Sequence, residues 1–324
     1  MKLMNLLVDY AFKQMFGQPN QSEPVLIPFL NDVLMTSSDN YITSVQFENN
    51  EIPKGTENGK SVRLDLYVTT NHGEKINVEI QVANYSGMIN RTLYYFSMIH
   101  QTLLLRGEDY ECIPKLILIN ILDFSLFPST EPYHTSYHLY NDESKRLLTD
   151  SLEIHFIELS KIPKYYTKQQ PLLRWLLMLK AVERDSFADL MALREVDPVM
   201  ETALDLWESI SKDPEHWAYY ISREKELLDM KNIAKDREKA VKLLNEAIKE
   251  RDHAVEALDH AVEERDHAVE ALDHAVEERD HAVEERDLAF QNAVKFFLEN
   301  GFSIEMVAEK LRLSIAEVER FSQN

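Results

Sequence analysis

The stretch RLDLYVTTNHGEKINVEIQV, residues 63–82, decides how the chain is read. Asn71-His72-Gly73 is a turn signal between two runs of period two, so the spacing predicts a β-hairpin. Centred on His72, the hairpin sets Asp65 opposite Glu79. Alternation puts Leu64, Leu66, Val68, Val78, Ile80 and Val82 on an apolar face, and Asp65, Tyr67, Asn77, Glu79 and Gln81 on the other. Two carboxylates side by side repel, and a hard divalent cation with oxygen ligands relieves the repulsion with little change in structure. Mg²⁺ is the natural occupant, with Mn²⁺ as a substitute. Such a cation polarises a phosphoryl oxygen and orients an acidified water for in-line attack on a phosphodiester. The plainer alternative is an ordinary hairpin with a polar, solvated face.

Outward from the hairpin, residues 1–183 read as a mixed α/β domain. Residues 4–16 and 24–34 have helical spacing; residues 43–52, 62–70 and 75–82 read as strands; 88–106 is a long helix and 115–122 a buried strand. The order is helix, three strands, helix, strand. Strands at 134–140 and 152–158 follow, then helices at 172–182, 186–193 and 199–209, the last two within a connector over residues 184–213.

Several segments together resemble a known family: DYAFKQMFG (9–17), PFLNDVL (28–34), RLDLYV (63–68), NVEIQV (77–82), NRTLYYFSMIHQTLLLRGEDY (90–110), IPKLILINILDF (113–124) and LEIHFIELSKIPK (152–164). Over about residues 1–185 the chain resembles the Rpn-type recombination-promoting nucleases and transposases of the PD-(D/E)xK superfamily. The resemblance implies a restriction-endonuclease-like core and a Mg²⁺-dependent endodeoxyribonuclease acting in recombination or transposition. Asp65 and Glu79 would hold the metal, and Asp65, Glu79 and Gln81 would be the catalytic set. Leu64 replaces the proline of the superfamily pattern and Gln81 its lysine. A neutral amide orients a water but cannot stabilise developing phosphorane charge as an ammonium does, so slow or strongly metal-dependent cleavage is expected. Asp9 and Lys13 on the first helix, and Arg91 and Tyr95 four apart on the helix after the hairpin, are candidate supporting residues.

Charge is distributed unevenly. The net charge is -21, and residues 252–287 carry three arginines against fourteen carboxylates, a net of -11 that leaves -10 for the other 288 residues. Bulk positive charge for clinging to nucleic acid is therefore excluded. Residues 161–184 hold the best phosphate-contact candidates, Lys161, Lys164, Lys168 and Arg174, with Lys180 and Arg184 nearby and Tyr165, Tyr166 and Trp175 interleaved. The alternative is a solvated loop leading into an amphipathic helix whose tryptophan is core.

The acidic stretch is a tandem repeat of DHAVEAL and DHAVEER units beginning at Asp252, Asp259, Asp266, Asp273 and Asp280, and a seven-residue period predicts a coiled-coil stalk over residues 214–293. Val255, Val262, Val269, Val276 and Val283 take position a; Leu258, Arg265, Leu272, Arg279 and Arg286 take d. A continuous helix of this kind is on the order of 120 Å long and would pair two copies into a homodimer through a weak seam. His253, His260, His267, His274 and His281 fall at the outward position f, too far apart for a helical metal site.

Residues 294–324 have the spacing of two short helices joined by a tight turn, with Arg312 where a glycine is usual. They read either as a helix-turn-helix that contacts DNA or as a helical cap; Glu317 and Glu319 give the second helix the wrong charge for a groove. One cysteine, Cys112, excludes a disulfide framework, and no apolar run is long enough to span a bilayer, so a cytoplasmic protein without membrane contact is expected. Two functions follow: a metal-dependent DNA endonuclease, or a non-catalytic DNA-binding or interaction scaffold built on a degenerate nuclease fold with a dimerising coiled coil.

Overall fold

Apolar residues at helical spacing fold as α1 (Asp9–Phe16) and α2 (Glu23–Leu34), and the period-two runs after them fold as β1 (Val45–Phe47), β2 (Glu51–Ile52), β3 (Val62–Arg63), β4 (Leu66–Thr70) and β5 (Lys75–Gln81). Then come α3 (Met88–His100), β6 (Leu116–Leu122), β7 (His134–Tyr140), β8 (Leu147–Glu158), α4 (Pro171–Arg184), α5 (Phe187–Arg194), α6 (Pro198–Lys212), α7 (Pro214–Glu299), α8 (Ile304–Leu311) and α9 (Ile315–Gln323). This computed structural model describes residues 2–53, 61–84, 87–104, 106–163, 170–184 and 187–323. The chain divides into two compact units, Met1–Lys239 and Ala240–Asn324, so α7 begins in the first unit and ends in the second.

The first unit is built on a six-stranded mixed sheet, ordered β1-β4-β5-β6-β8-β7. β5, β6 and β8 run parallel; the β1, β4 and β7 pairings are antiparallel. β6, with the sequence LILINIL, is buried along its whole length, the composition of a parallel strand covered on both faces. One face carries Leu66, Val68, Ile76, Val78, Ile80, Ile117, Ile119 and Ile121, packed with residues of α1, α2, α4 and α6. The other carries Tyr67, Leu116, Leu118 and Leu122, packed with Met88, Met98 and Ile99 of α3.

The hairpin has the register read from its turn. Leu66 pairs with Val78, Tyr67 with Asn77, Val68 with Ile76 and Thr69 with Lys75. Gly73, at φ 81°, takes the left-handed place in the turn, where a Cβ is strained. Three expectations are corrected. The strand expected over 43–52 is two short strands, and the one over 62–70 is interrupted at Leu64 and Asp65, between β3 and β4. The interruption carries Leu64 into the cluster under α3, the face opposite to the one alternation predicts. The helix expected over 4–16 begins only at Asp9, because Met4 N–H donates to Ser211 Oγ, Asn5 N–H to Tyr220 Oη, and Met4 O accepts from Trp207 Nε1. Side chains of α6 and α7 thus satisfy backbone groups that a helix would otherwise pair.

The start of α7 is bound into this unit. Tyr220 and Leu227 are buried, the Tyr10 hydroxyl lies 2.7 Å from His216 Nδ1, and Lys231 Nζ lies 2.8 Å from Asp123. In the second unit, the end of α7 packs with α8 and α9 around Val294, Val307, Ala308, Val318 and Phe321. Ser314 and Glu317 form a reciprocal cap at the start of α9. Arg312, at φ 58°, ends α8 in the left-handed conformation for which glycine is usual. Along α7 the apolar residues Val255, Leu258, Val262, Val269, Leu272, Val276 and Val283 are exposed in the single chain, and each repeat histidine faces a glutamate three or four residues on.

Candidate active site

The break before β4 positions the chemistry. Asp65 lies just outside regular pairing, where an interruption re-aims a side chain. Its backbone N–H donates to Glu79 Oε1 at 3.1 Å, and its own Oδ2 accepts the Ile80 N–H at 3.1 Å. Each carboxylate is thereby tied to the other residue's strand. Lys13, one turn after Asp9 on α1, sets its Nζ 2.9 Å from Asp65 Oδ1. The Asn77 amide, turned to donate, reaches the Leu66 carbonyl at 2.9 Å and Glu79 Oε1 at 3.2 Å.

The polar face of the hairpin is not solvated. Glu79 is 4% exposed and Asn77 1%, on the face of the sheet where Tyr67 packs with residues of α3. Burial, and then the neighbouring Asp65 charge, push the Glu79 carboxyl well above the usual range, while the Asp65 N–H, Arg91 and Asn77 pull it back. A carboxyl held in this tension is characteristic of a site rather than of a solvent-facing strand.

α3 brings Arg91 and Tyr95 to the same place. Arg91 donates to Tyr95 Oη at 2.7 Å and lies over its ring. Burial and then Glu79 raise the pKa of the Tyr95 phenol. One face further round, Thr92 Oγ1 donates to Asn120, which stands beside Glu79 across the β5–β6 pair. The helix is therefore fixed to the strand it covers.

These groups open on a cleft of about 270 Å³ lined by Asp9, Arg63, Asp65, Glu79, Gln81 and Arg91, with Leu7, Ile80, Val82 and Ala83, and closed by Arg223, Glu226, Leu227 and Met230 of α7. Asp9, Asp65, Glu79, Gln81 and Arg91 were legible as candidates in the sequence. Arg63, Arg223 and Glu226 were not. A helix numbered in heptads hides its first turns, and only the separation of Arg223, Leu227 and Met230 by four and three residues marks a stripe there.

The donor set fits a hard divalent cation. Asp65, just before β4, and Glu79 on β5 offer carboxylate oxygens side by side, Gln81 offers a neutral one, and burial together with the Asp65 charge makes the Glu79 charge costly without a nearby cation. Among the described residues no group of three or more His, Cys, Asp or Glu could hold a metal ion. Two carboxylates, with water and substrate oxygens for the rest, is the ligand supply that Mg²⁺ uses.

The described basic residues of 161–184 stand apart from this cleft. Lys164 and Lys168 lie outside the described residues. Lys161 pairs with buried Glu158 at 2.7 Å, and Arg174 is held by Asp32 and Asp197, both at 2.5 Å. These two cations have internal carboxylate partners. Trp175 is fully buried and donates to Asp32, as the core alternative requires.

A family model described as PD-(D/E)XK nuclease family transposase matches residues 6–237. No curated protein and no solved structure matches the chain. No helix among the described residues is long and apolar enough to cross a membrane.

Proposed function

From the premise that the chain belongs to the PD-(D/E)XK nuclease family transposases, we propose that it is a metal-dependent endodeoxyribonuclease whose cuts serve recombination or transposition. The observation that carries this reading is the pair Asp65 and Glu79, locked to each other's strands at the floor of a cleft and faced by a lysine. Nucleases of this family typically use divalent metals; Asp65 and Glu79 would hold one here, Mg²⁺ or Mn²⁺. When bound, the cation supplies positive charge at the phosphoryl oxygen and a more acidic water.

The remaining work falls to the chain. The Gln81 amide oxygen, two residues beyond Glu79 on the same side of β5, accepts a hydrogen bond from the attacking water and orients it. Lys13 provides, from α1, the ammonium that Gln81 lacks, close enough to Asp65 to offset charge developing on the phosphate. Arg91 holds a phosphate oxygen and lowers the cost of the Glu79 charge. The heptad stretch of α7 pairs two copies, which places two cleavage sites in one assembly.

The test is incubation of supercoiled plasmid with the full chain in Mg²⁺, Mn²⁺, Ca²⁺ or EDTA, beside Asp65→Ala. Nicking or linearisation that needs Mg²⁺ or Mn²⁺ and disappears in the variant is the expected result. Cutting that survives Asp65→Ala, or no cutting by folded protein, would favour the scaffold reading.

A further inference from the structure

The wall of the cleft that α7 forms carries chemistry of its own. Arg223, Glu226, Leu227 and Met230 sit at i, i+3, i+4 and i+7, one stripe of the helix, and all four line the cleft. The stripe is held in place on both sides. Leu227 is buried, Tyr220 accepts the Asn5 N–H at 3.0 Å, and Lys231 pairs with Asp123 at 2.8 Å. Arg223 is thus presented to the cleft by a helix that is anchored.

Its guanidinium donates to Glu226 at 2.6 Å and lies in the field of Asp9. Both members of that pair are about half exposed, at 46% and 54%, so water screens the bond and a phosphate oxygen displaces Glu226 readily. Arg91 of α3 and Arg63 of β3 line the same cleft. Guanidinium groups from three separate elements therefore surround a floor made of carboxylates. An anionic ligand that also approaches the carboxylates needs that arrangement: metal charge at the floor and planar forks at the rim, to which phosphate oxygens bind in pairs.

We propose that Arg223 is a substrate-binding residue of the nuclease site, gripping a backbone phosphate of the DNA strand whose scissile bond lies over Asp65 and Glu79. Glu226 occupies the guanidinium until the phosphate arrives. The inference rests on the nuclease reading and adds that α7 contributes to the substrate site, so that the helix carrying the heptads also carries a DNA contact.

The test uses full-length protein and a fluorescein-labelled DNA duplex, with Ca²⁺ for binding by anisotropy and Mg²⁺ for cleavage. Arg223→Ala is expected to raise Kd and KM about tenfold and to reduce the slope of log Kd against log salt by about one. Arg223→Lys should keep the salt slope while recovering only part of the affinity, since it restores charge without the fork. Glu226→Gln should tighten binding by removing the competitor. The Mn²⁺-induced rise in Tm should be the same in all three. Wild-type Kd and salt slope in Arg223→Ala, beside a wild type that binds and cuts, would overturn the inference and leave the nuclease standing. Loss of the Mn²⁺ effect in Arg223→Ala would also overturn it, by showing a structural role. A wild type that neither binds nor cuts would remove both readings.

Discussion

Between residues 252 and 287 the chain carries fourteen carboxylates; the floor of the cleft carries two. In the repeat, Glu256, Glu264, Glu270, Glu278 and Glu285 are 73–82% exposed and face histidines of their own helix. Water screens them, and their charge is expressed as solubility and repulsion. At the floor, Glu79 is nearly sealed from solvent and stands against Asp65, so one proton or one cation changes the local energy sharply. The number of acids in a segment says little about chemistry; the water removed from around them says more.

Removing acids from the two regions should have very different consequences. Asp65→Ala or Glu79→Ala should lower the cleavage rate by about a thousandfold or more, on the order of 4 kcal/mol of transition-state stabilisation. Changing any glutamate of the repeat to alanine should leave the rate within about twofold. A substitution in the repeat with a comparable effect would show that its acids are not mere solvated charge.

Next in size is the lysine. Lys13→Ala should cost about a hundredfold in kcat, in the range seen when one preorganised transition-state donor is removed. Gln81→Lys placed in that background should recover part of the loss, since it returns an ammonium to the superfamily position. Failure of Lys13→Ala to slow cleavage would reduce its contact with Asp65 to a structural ion pair.

How much of this was legible follows from how local each signal is. The Asp65–Glu79 pairing could be read because a three-residue turn fixes a register, and the observed pairs share the predicted centre. The break at Leu64 and Asp65 could not be read. Nothing in the alternation marks it, and the displaced Leu64 is held by α3, a distant element. The burial of Glu79 was equally hidden, since a polar strand face gives no sign of the helix that covers it. The approach of Lys13 depends on how α1 packs, and that of Arg223 on buried Tyr220 and Leu227 and the Asp123 pair. The carboxylate partners of Lys161 and Arg174 were hidden in the same way, since Asp32 is distant in sequence and Glu158 gives no sign of its burial.

Protons probe the same buried carboxyl. Below the ordinary carboxyl range both the fold and the unfolded chain keep the Glu79 proton. As pH rises through that range the unfolded chain releases it first, because the folded pKa is raised, so the metal-free protein loses stability. A divalent cation replaces the proton, and the rise in Tm on adding Mg²⁺ or Mn²⁺ should therefore grow from pH 5 to pH 8. Glu79→Gln should flatten both dependences in thermal melts. For a unit of this size each kcal/mol corresponds to about 2–4 °C. A metal effect that shrinks as pH rises would contradict the assignment of Glu79 as a ligand.

The smallest expected effect lies at the sheet edge, and it tests whether burial has the same force away from the cleft. His134 Nε2 lies 2.9 Å from His155 Nδ1, and the second nitrogen of His155 lies 2.8 Å from Glu153, which Lys115 also holds. Burial, then His155, pull the His134 pKa down to about 4 against the opposing effect of Glu153. Above the ordinary histidine range neither folded nor unfolded chain protonates His134. As pH falls from about 6.5 toward 4, the unfolded chain takes up a proton that the fold refuses, and stability is lost with acidification. Hydrogen exchange should show the β7–β8 ladder opening earlier at pH 5 than at pH 7, and His134→Asn should remove most of that difference. Deleting residues 252–265 removes two heptads and leaves the frame intact, so it should leave the acid sensitivity of β7–β8, the metal-dependent melt and the cleavage rate unchanged. If that deletion altered the exchange of β7–β8, the contrast between sealed and solvated groups would be too simple, and the charge of the repeat would have to act on the sheet at a distance.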